Sequence, residues 1–235
     1  MPLTEYKGNL FNSDAQTLVN TVNCVGVMGK GVALEFQRRF PEMFKAYHHE
    51  CEERTLKPGR ILPYRKGSPW ILNFAVKNDW KHPSRMEWVE SCLTRFVGRY
   101  RELGITSVAM PWLGAMNGGL PWDQVHELMR FHLAPLDGID IEIVEFDPDA
   151  SDPIFRRIED AVRLTDEAAF GLALNIRQPA AGIIWHAVAD KSVPSLARLI
   201  ELPRVGGRSV SRLYECPTGE ELKEQLPPPK LFDWS

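Results

Sequence analysis

Two stretches of this 235-residue chain place glycines where an apolar strand hands over to a helix. The first, "NTVNCVGVMGKG" at 20–31, carries Gly26, Gly29 and Gly31, with Lys30 between the last two. The second, "PWLGAMNGGLPW" at 111–122, carries Gly114, Gly118 and Gly119. A helix N-terminus presents unpaired N–H groups at the positive end of its dipole, and glycine removes the side chains that would keep a phosphate away from them. Each stretch is therefore a candidate anion cradle. The first is neither a P-loop nor a dinucleotide fingerprint: it reads G-x-x-G-x-G, with Lys30 followed by Gly31 rather than by Ser or Thr. One such turn can equally be a tight corner. Two at the same sheet edge could close over a diphosphate from both sides. A lysine, Lys77, ends the apolar run "WILNFAVK", at the same kind of edge; by spacing alone such a lysine is more often a solvated charge than a reactive group.

The elements that must position these residues can be read from punctuation and periodicity. Strands are expected at "LTEY", "TLVNTV", "RILPY", "WILNFAV", "TSVAMPW" and "IDIEIVEF", rich in Val, Ile and Leu and bounded by Gly, Asn or Pro. A helix is expected after Gly31, with Val32, Ala33, Phe36 and Phe40 on one face. A second begins at a capping box of Ser84 with Glu87 and stops at Gly104. A third starts near Pro121, ahead of Val125, Leu128, Met129, His132 and Leu133. Alternating strands and helices predict an α/β domain over residues 1–150, with helices on both faces of a mostly parallel sheet. "DPDASDP" at 147–153 reads as a boundary, and residues 151–235 as a smaller, mainly helical region. There Asp152-Pro153 starts a helix, "TDEAAFGLALNI" and "VPSLARLIEL" are further helices, "AAGIIWHAVAD" is ambiguous and "RSVSRLYEC" suits a strand. The terminal "QLPPPKLFDWS" reads as a polyproline stretch followed by Leu231, Phe232 and Trp234, either folded back on its own domain or a docking peptide.

"GNLF" at 8–11, "LVNTVNCVGVMGKGVALEFQRRFP" at 18–41, "NFAVKNDW" at 73–80 and "PWLGAMNGGLPW" together resemble the macrodomain family. They are most similar to its branch of DarG antitoxins and terminal ADP-ribose glycohydrolases. The resemblance covers about residues 1–150. It implies a three-layer α/β/α sandwich with a mixed, mostly parallel sheet, holding ADP-ribose at the top of that sheet. By the same resemblance Asn9 and Leu10 border the adenine, where many macrodomains have an aspartate, and Phe146 stacks on it or lies in the core. Asn23 binds the distal ribose and joins Lys77 in catalysis, although an Asn ending a strand can equally be a turn former. Met28, Gly29, Lys30, Gly31 and Val32, with Leu113, Gly114, Ala115, Met116, Asn117, Gly118 and Gly119, hold the diphosphate and the ribose beyond it. Lys77 matches the lysine that carries activity in this branch. It acts as an ammonium on developing charge or as a neutral amine nucleophile. Some relatives add an aspartate in the second loop; here no acid precedes Asp123, which argues against a full covalent cycle.

The implied activity is removal of ADP-ribose from a nucleobase, thymidine in DNA first, reversing a toxin's modification. Alternatives are a binding module without turnover and a hydrolase of protein- or RNA-linked ADP-ribose. Composition fits a globular protein, with 44% hydrophobic and 25% charged residues, and the net charge of −3 excludes a generally basic nucleic-acid coat. Locally, however, Arg54, Lys57, Arg60, Arg65, Lys66, Lys77, Lys81 and Arg85 face one acid, Asp79, with Trp70, Trp80 and His82 interspersed. The partner expected from this run is ADP-ribosylated, single-stranded DNA. A cognate toxin docking on residues 151–235 is a further expectation, with a nucleic-acid-binding helical domain as its alternative. The four scattered cysteines suggest reduced thiols, and no metal or other cofactor is implied. Without an apolar run of about 18 residues or a leader, a cytoplasmic protein off the membrane is expected.

Overall fold

The computed structural model describes residues 3–225, and the terminal Leu231, Phe232 and Trp234 lie outside them. The chain divides after Asp147 into two compact units. All six expected strands form in the first: β1 (Thr4–Gly8), β2 (Thr17–Val22), β3 (Ile61–Tyr64), β4 (Trp70–Ala75), β5 (Ser107–Pro111) and β6 (Asp140–Phe146). They make one sheet in the order β1-β6-β5-β2-β4-β3, parallel except for β3, which runs antiparallel to β4. Every parallel strand therefore ends at the same rim. β2 sits between β4 and β5, at the point where the strand order reverses and open α/β sheets bind ligands.

Alternation along the strands builds two cores, one per face. Val19, Leu72, Phe74, Val108, Met110, Ile141 and Ile143 pack with Val89, Cys92, Leu93 and Phe96 of α3 (Met86–Arg99) and Val125, Met129 and Leu133 of α4 (Trp122–Leu133). On the other face Leu18, Val22, Ile71, Ala75 and Val144 pack with Phe36 of α1 (Gly31–Arg39) and Met43, Tyr47 and Cys51 of α2 (Pro41–Glu52). The result is three layers, α/β/α.

Three local expectations are corrected. Ser84 does not cap α3: Arg85 is the N-cap, because the Ser84 N–H is drawn to the Gly118 carbonyl at 2.8 Å. That helix ends at Arg99, and Gly104, at φ +69°, closes the turn beyond it. "RSVSRLYEC" forms a helix, α9 (Gly207–Tyr214), because Val210 and Leu213 recur at helical spacing and reach the core together.

The second unit is helical throughout its described length: α5 (Pro153–Leu164), α6 (Glu167–Ala173), α7 (Ala180–Ala189), α8 (Leu196–Ile200), α9 and α10 (Gly219–Gln225). Asp152 caps α5 by accepting from Ile154 and Phe155 N–H, and Phe155, Ile158, Phe170, Ile184, Leu199 and Leu213 centre its own core.

Candidate active site at the sheet rim

The opening loop is fastened from beneath. The Asn23 Oδ1 accepts from the N–H groups of Val25 (3.0 Å) and Val27 (3.3 Å) and from the Tyr47 hydroxyl (3.0 Å), while its Nδ2 donates to the Val27 carbonyl. The Tyr47 hydroxyl also reaches the Asn23 carbonyl at 3.0 Å. Gly26 has φ +80°, and a Cβ there would lie 2.5 Å from His48 Nδ1, so α2 presses directly on the loop and only glycine fits. Burial and the neighbouring Cys51 push the Cys24 thiol up to about 12, so it is not a ready thiolate nucleophile. The loop then delivers the chain to α1, whose N-cap, Lys30, makes no side-chain cap, and whose first turn has no acid. The initial N–H groups of α1 thus have no carboxylate or hydroxyl from their own segment, the arrangement in which a helix start accepts an anion.

The second loop folds on its own backbone. Leu120 N–H donates to Gly114 O at 3.1 Å and Gly119 N–H to Ala115 O at 2.7 Å. Gly118 lies so close to Gly114 that an added Cβ would meet its carbonyl oxygen. Trp112 and Trp122 stack at 3.4 Å between ring centroids and clamp the two ends.

The two loops meet. A Cβ on Gly31, at φ +56°, would fall 2.3 Å from Asn117 Nδ2, placing the start of α1 against the tip of the second loop. Lys77, two residues beyond β4, donates its backbone N–H to Val22 O at 3.2 Å and its Nζ to Asn117 O at 2.6 Å. Its amine therefore stands where both loops converge. Partial burial holds its pKa below the usual 10.5, because desolvation disfavours the ammonium.

Asn23 has the bonds of a turn former, with its oxygen committed to the loop and one amide hydrogen left over for a ligand such as the distal ribose. Met28 and Leu113 point into the cores at 2% and 0% exposure, so they can offer a ligand backbone only. Leu10 and Ala115 are likewise buried. Asn9 caps the short 3₁₀ turn after β1 by accepting from Phe11 N–H at 2.9 Å. Phe146 ends β6 beside Gly8 and is 44% exposed, which removes the core reading of this ring. Gly29, Lys30 and Met116 are exposed at the rim, and Val32 is half-buried. Tyr47 and His48, the supports of the opening loop, were not read from the sequence, although Met43, Tyr47 and Cys51 recur every four residues after a helix-starting Pro41. A depression on the outer face of α3, lined by Glu87, Glu90, Ser91, Thr94 and Arg95, carries two carboxylates and does not suit an anion.

Among the described residues no group of three or more His, Cys, Asp or Glu could hold a metal, and no helix is long and apolar enough to cross a membrane.

Comparison with known proteins adds the following. The Macro domain family model matches residues 19–129. The macrodomain of Thermus aquaticus DarG is 46% identical; the match covers 62% of this chain and 98% of that one, with a TM-score of 0.57. The structure of Thermosipho africanus DarTG in complex with ADP-ribose is 35% identical over 61% of this chain and 41% of that one, with a TM-score of 0.59. The DNA ADP-ribosyl glycohydrolase of Thermus aquaticus is 47% identical over 143 residues, but the chain spans only 40% of its length.

Proposed function

The chain belongs to the macrodomain family, and from that premise we propose that residues 1–150 form a glycohydrolase releasing ADP-ribose from a nucleobase of DNA, thymidine first. The observation that carries this reading is the contact of Lys77 Nζ with the tip of the second loop, beside the uncapped start of α1. The diphosphate lies across the N–H groups of 29–32 and of 114–119, with the adenine towards Asn9 and Phe146. A relative bound to ADP-ribose supports this ligand, and a relative named for DNA ADP-ribosyl hydrolysis supports the reaction.

In that reaction water adds its hydroxyl to the anomeric carbon of the distal ribose. The glycosidic C–N bond breaks, and the base nitrogen leaves with the electron pair and takes up a proton. Lys77 leaves Asn117 O and turns to this centre as an ammonium, stabilising the charge that develops on the departing base. The absence of an acid between Ala115 and Leu120 favours this role over a covalent cycle. Asn23 is a positioning residue, shaping the loop through its bonds to Val25, Val27 and Tyr47.

The test is release of ADP-ribose from a thymidine-modified oligonucleotide by the full chain, beside guanine-, RNA- and protein-linked substrates. Release from modified DNA, abolished in Lys77→Ala with ADP-ribose affinity retained, is expected. Affinity without release from any of them would make this a binding module. Residues 151–235 are proposed to meet a partner protein, a cognate transferase toxin. Their support is a core of their own and a Leu172 that is 84% exposed on α6. Equal co-purification of that toxin with a chain lacking 151–235 would remove the role.

A further inference from the structure

The fold separates Arg65 and Lys66 from the rest of the basic run at 54–85. Arg65 and Lys66 lie in the turn between β3 and β4 and Trp70 opens β4, with the Arg65 guanidinium 4.0 Å from the Trp70 ring centroid. That turn lies at the amino end of β4, on the order of 20 Å from the carboxyl rim at ~3.3 Å per residue. A second group remains at the rim. Arg60 precedes β3, and its carbonyl accepts from Ala75 N–H at 3.0 Å, where β4 ends. Trp80, Lys81 and Arg85 occupy the segment between Lys77 and α3, which Ser84 N–H fastens to Gly118 O.

The side chains of this second group face water. Trp80 is 53% exposed with Lys81 Nζ 5.5 Å from its ring, and Arg85 lies 5.0 Å from the ring of Trp88. Of the nearby carboxylates, Asp79 accepts from Lys81 N–H at 2.9 Å and Glu87 pairs with Arg85 at 3.3 Å, while Glu90 is exposed one turn further along α3. A half-exposed indole with Lys81 at its ring, on the segment that also carries Arg85 and joins Lys77 to α3, has the chemistry that stacks an unpaired base and neutralises the phosphates beside it.

We propose that Arg60, Trp80, Lys81 and Arg85 form a binding track for single-stranded DNA: a base next to the modified nucleotide stacks on Trp80, and flanking phosphates lie against the three cations. This rests on the reading of the linked molecule as DNA. It adds where the strand runs and why the strand must be unpaired, since a paired base has no free face to offer Trp80. It also removes Arg65, Lys66 and Trp70 from that role.

The test is fluorescence anisotropy of the full chain with an unmodified, labelled oligodeoxythymidine over a range of salt, beside calorimetry with free ADP-ribose. Trp80→Ala is expected to weaken strand binding by about tenfold. Lys81→Glu with Arg85→Glu should weaken it at least as much and flatten the salt dependence by about one to two charges. Arg65→Glu should stay within about twofold of wild type, and all variants should keep ADP-ribose affinity, which reports that they fold. Unchanged strand binding in Trp80→Ala, an equal loss in Arg65→Glu, no binding by the wild type, or tighter binding to duplex or oligouridine would each overturn the track. None of these readings depends on turnover, so a wild type that binds the strand but releases no ADP-ribose would sink the proposed hydrolysis and leave the track standing.

Discussion

The two glycine loops meet at one point but are held there by different means. The loop after β2 is shaped by the side chain of its own Asn23 and by two side chains from outside it, with Tyr47 bonding Asn23 and His48 filling the space under Gly26. The loop after β5 is shaped mainly by its own backbone and by the Trp112–Trp122 stack at its ends, with one backbone bond from outside, Ser84 N–H to Gly118 O, leaving Met116 65% exposed at its tip. A loop braced by side chains of a neighbouring helix is a fixed platform; one closed largely on itself, with the single tether from Ser84, has more room to tilt. The Lys77–Asn117 bond joins the amine to the second kind. The second loop is therefore the one expected to shift when Lys77 turns to a ligand, with the first serving as the wall against which the diphosphate is set.

The largest effect that sharpens this contrast is loss of the amine. Lys77→Ala should lower turnover by at least ~100-fold, with ADP-ribose affinity within about threefold of wild type by calorimetry; an affinity loss as large as the rate loss would make Lys77 a general ligand instead. Gly118→Ala comes next. Its Cβ would collide with the Gly114 carbonyl, so urea unfolding should show a loss of about 2–3 kcal/mol. A neutral result would mean that the second loop already moves freely. Gly31→Ala acts on the other side of the junction, where φ is +56° and the Asn117 amide is in the way. It should cost about 1–2 kcal/mol of stability, measured in the same way, and weaken ADP-ribose binding.

Smaller effects separate the platform from the tilting loop. Tyr47→Phe removes the hydroxyl from beneath Asn23, worth about 1 kcal/mol, and a melting point lowered by a few degrees is expected; no change would mean that Asn23 holds its loop unaided. The pH profile reports on Lys77 itself. Burial keeps its pKa under 10.5, so the ammonium is lost as pH rises through a value below that. Turnover that needs the ammonium falls along that limb, whereas a neutral nucleophile would make it rise.

Much of this is legible in the sequence. Strands punctuated by Gly, Asn and Pro all formed, because each presents alternating faces to two helical layers. The helix at 41–52 was missed although Pro41 starts it and Met43, Tyr47 and Cys51 line one side. With it went the support of the opening loop, since a tyrosine reads as core until its hydroxyl is seen to have a partner. "AAGIIWHAVAD" stayed ambiguous because α7 buries Ala180, Ala181, Gly182, Ile184, Ala187 and Val188, nearly its full circumference, and so shows no periodicity. The basic run is divided for another reason. Neighbours in sequence on either side of a six-residue strand lie at opposite ends of the sheet, so charge counted along the chain overstated charge at the site.

Binding of ADP-ribose, seen crystallographically, tests the central arrangement most directly. The pyrophosphate should accept N–H bonds from both the start of α1 and the loop at 114–119, with Lys77 Nζ released from Asn117 O and directed at the distal ribose. A pyrophosphate bound elsewhere, or an amine still bonded to Asn117 in the occupied site, would contradict it.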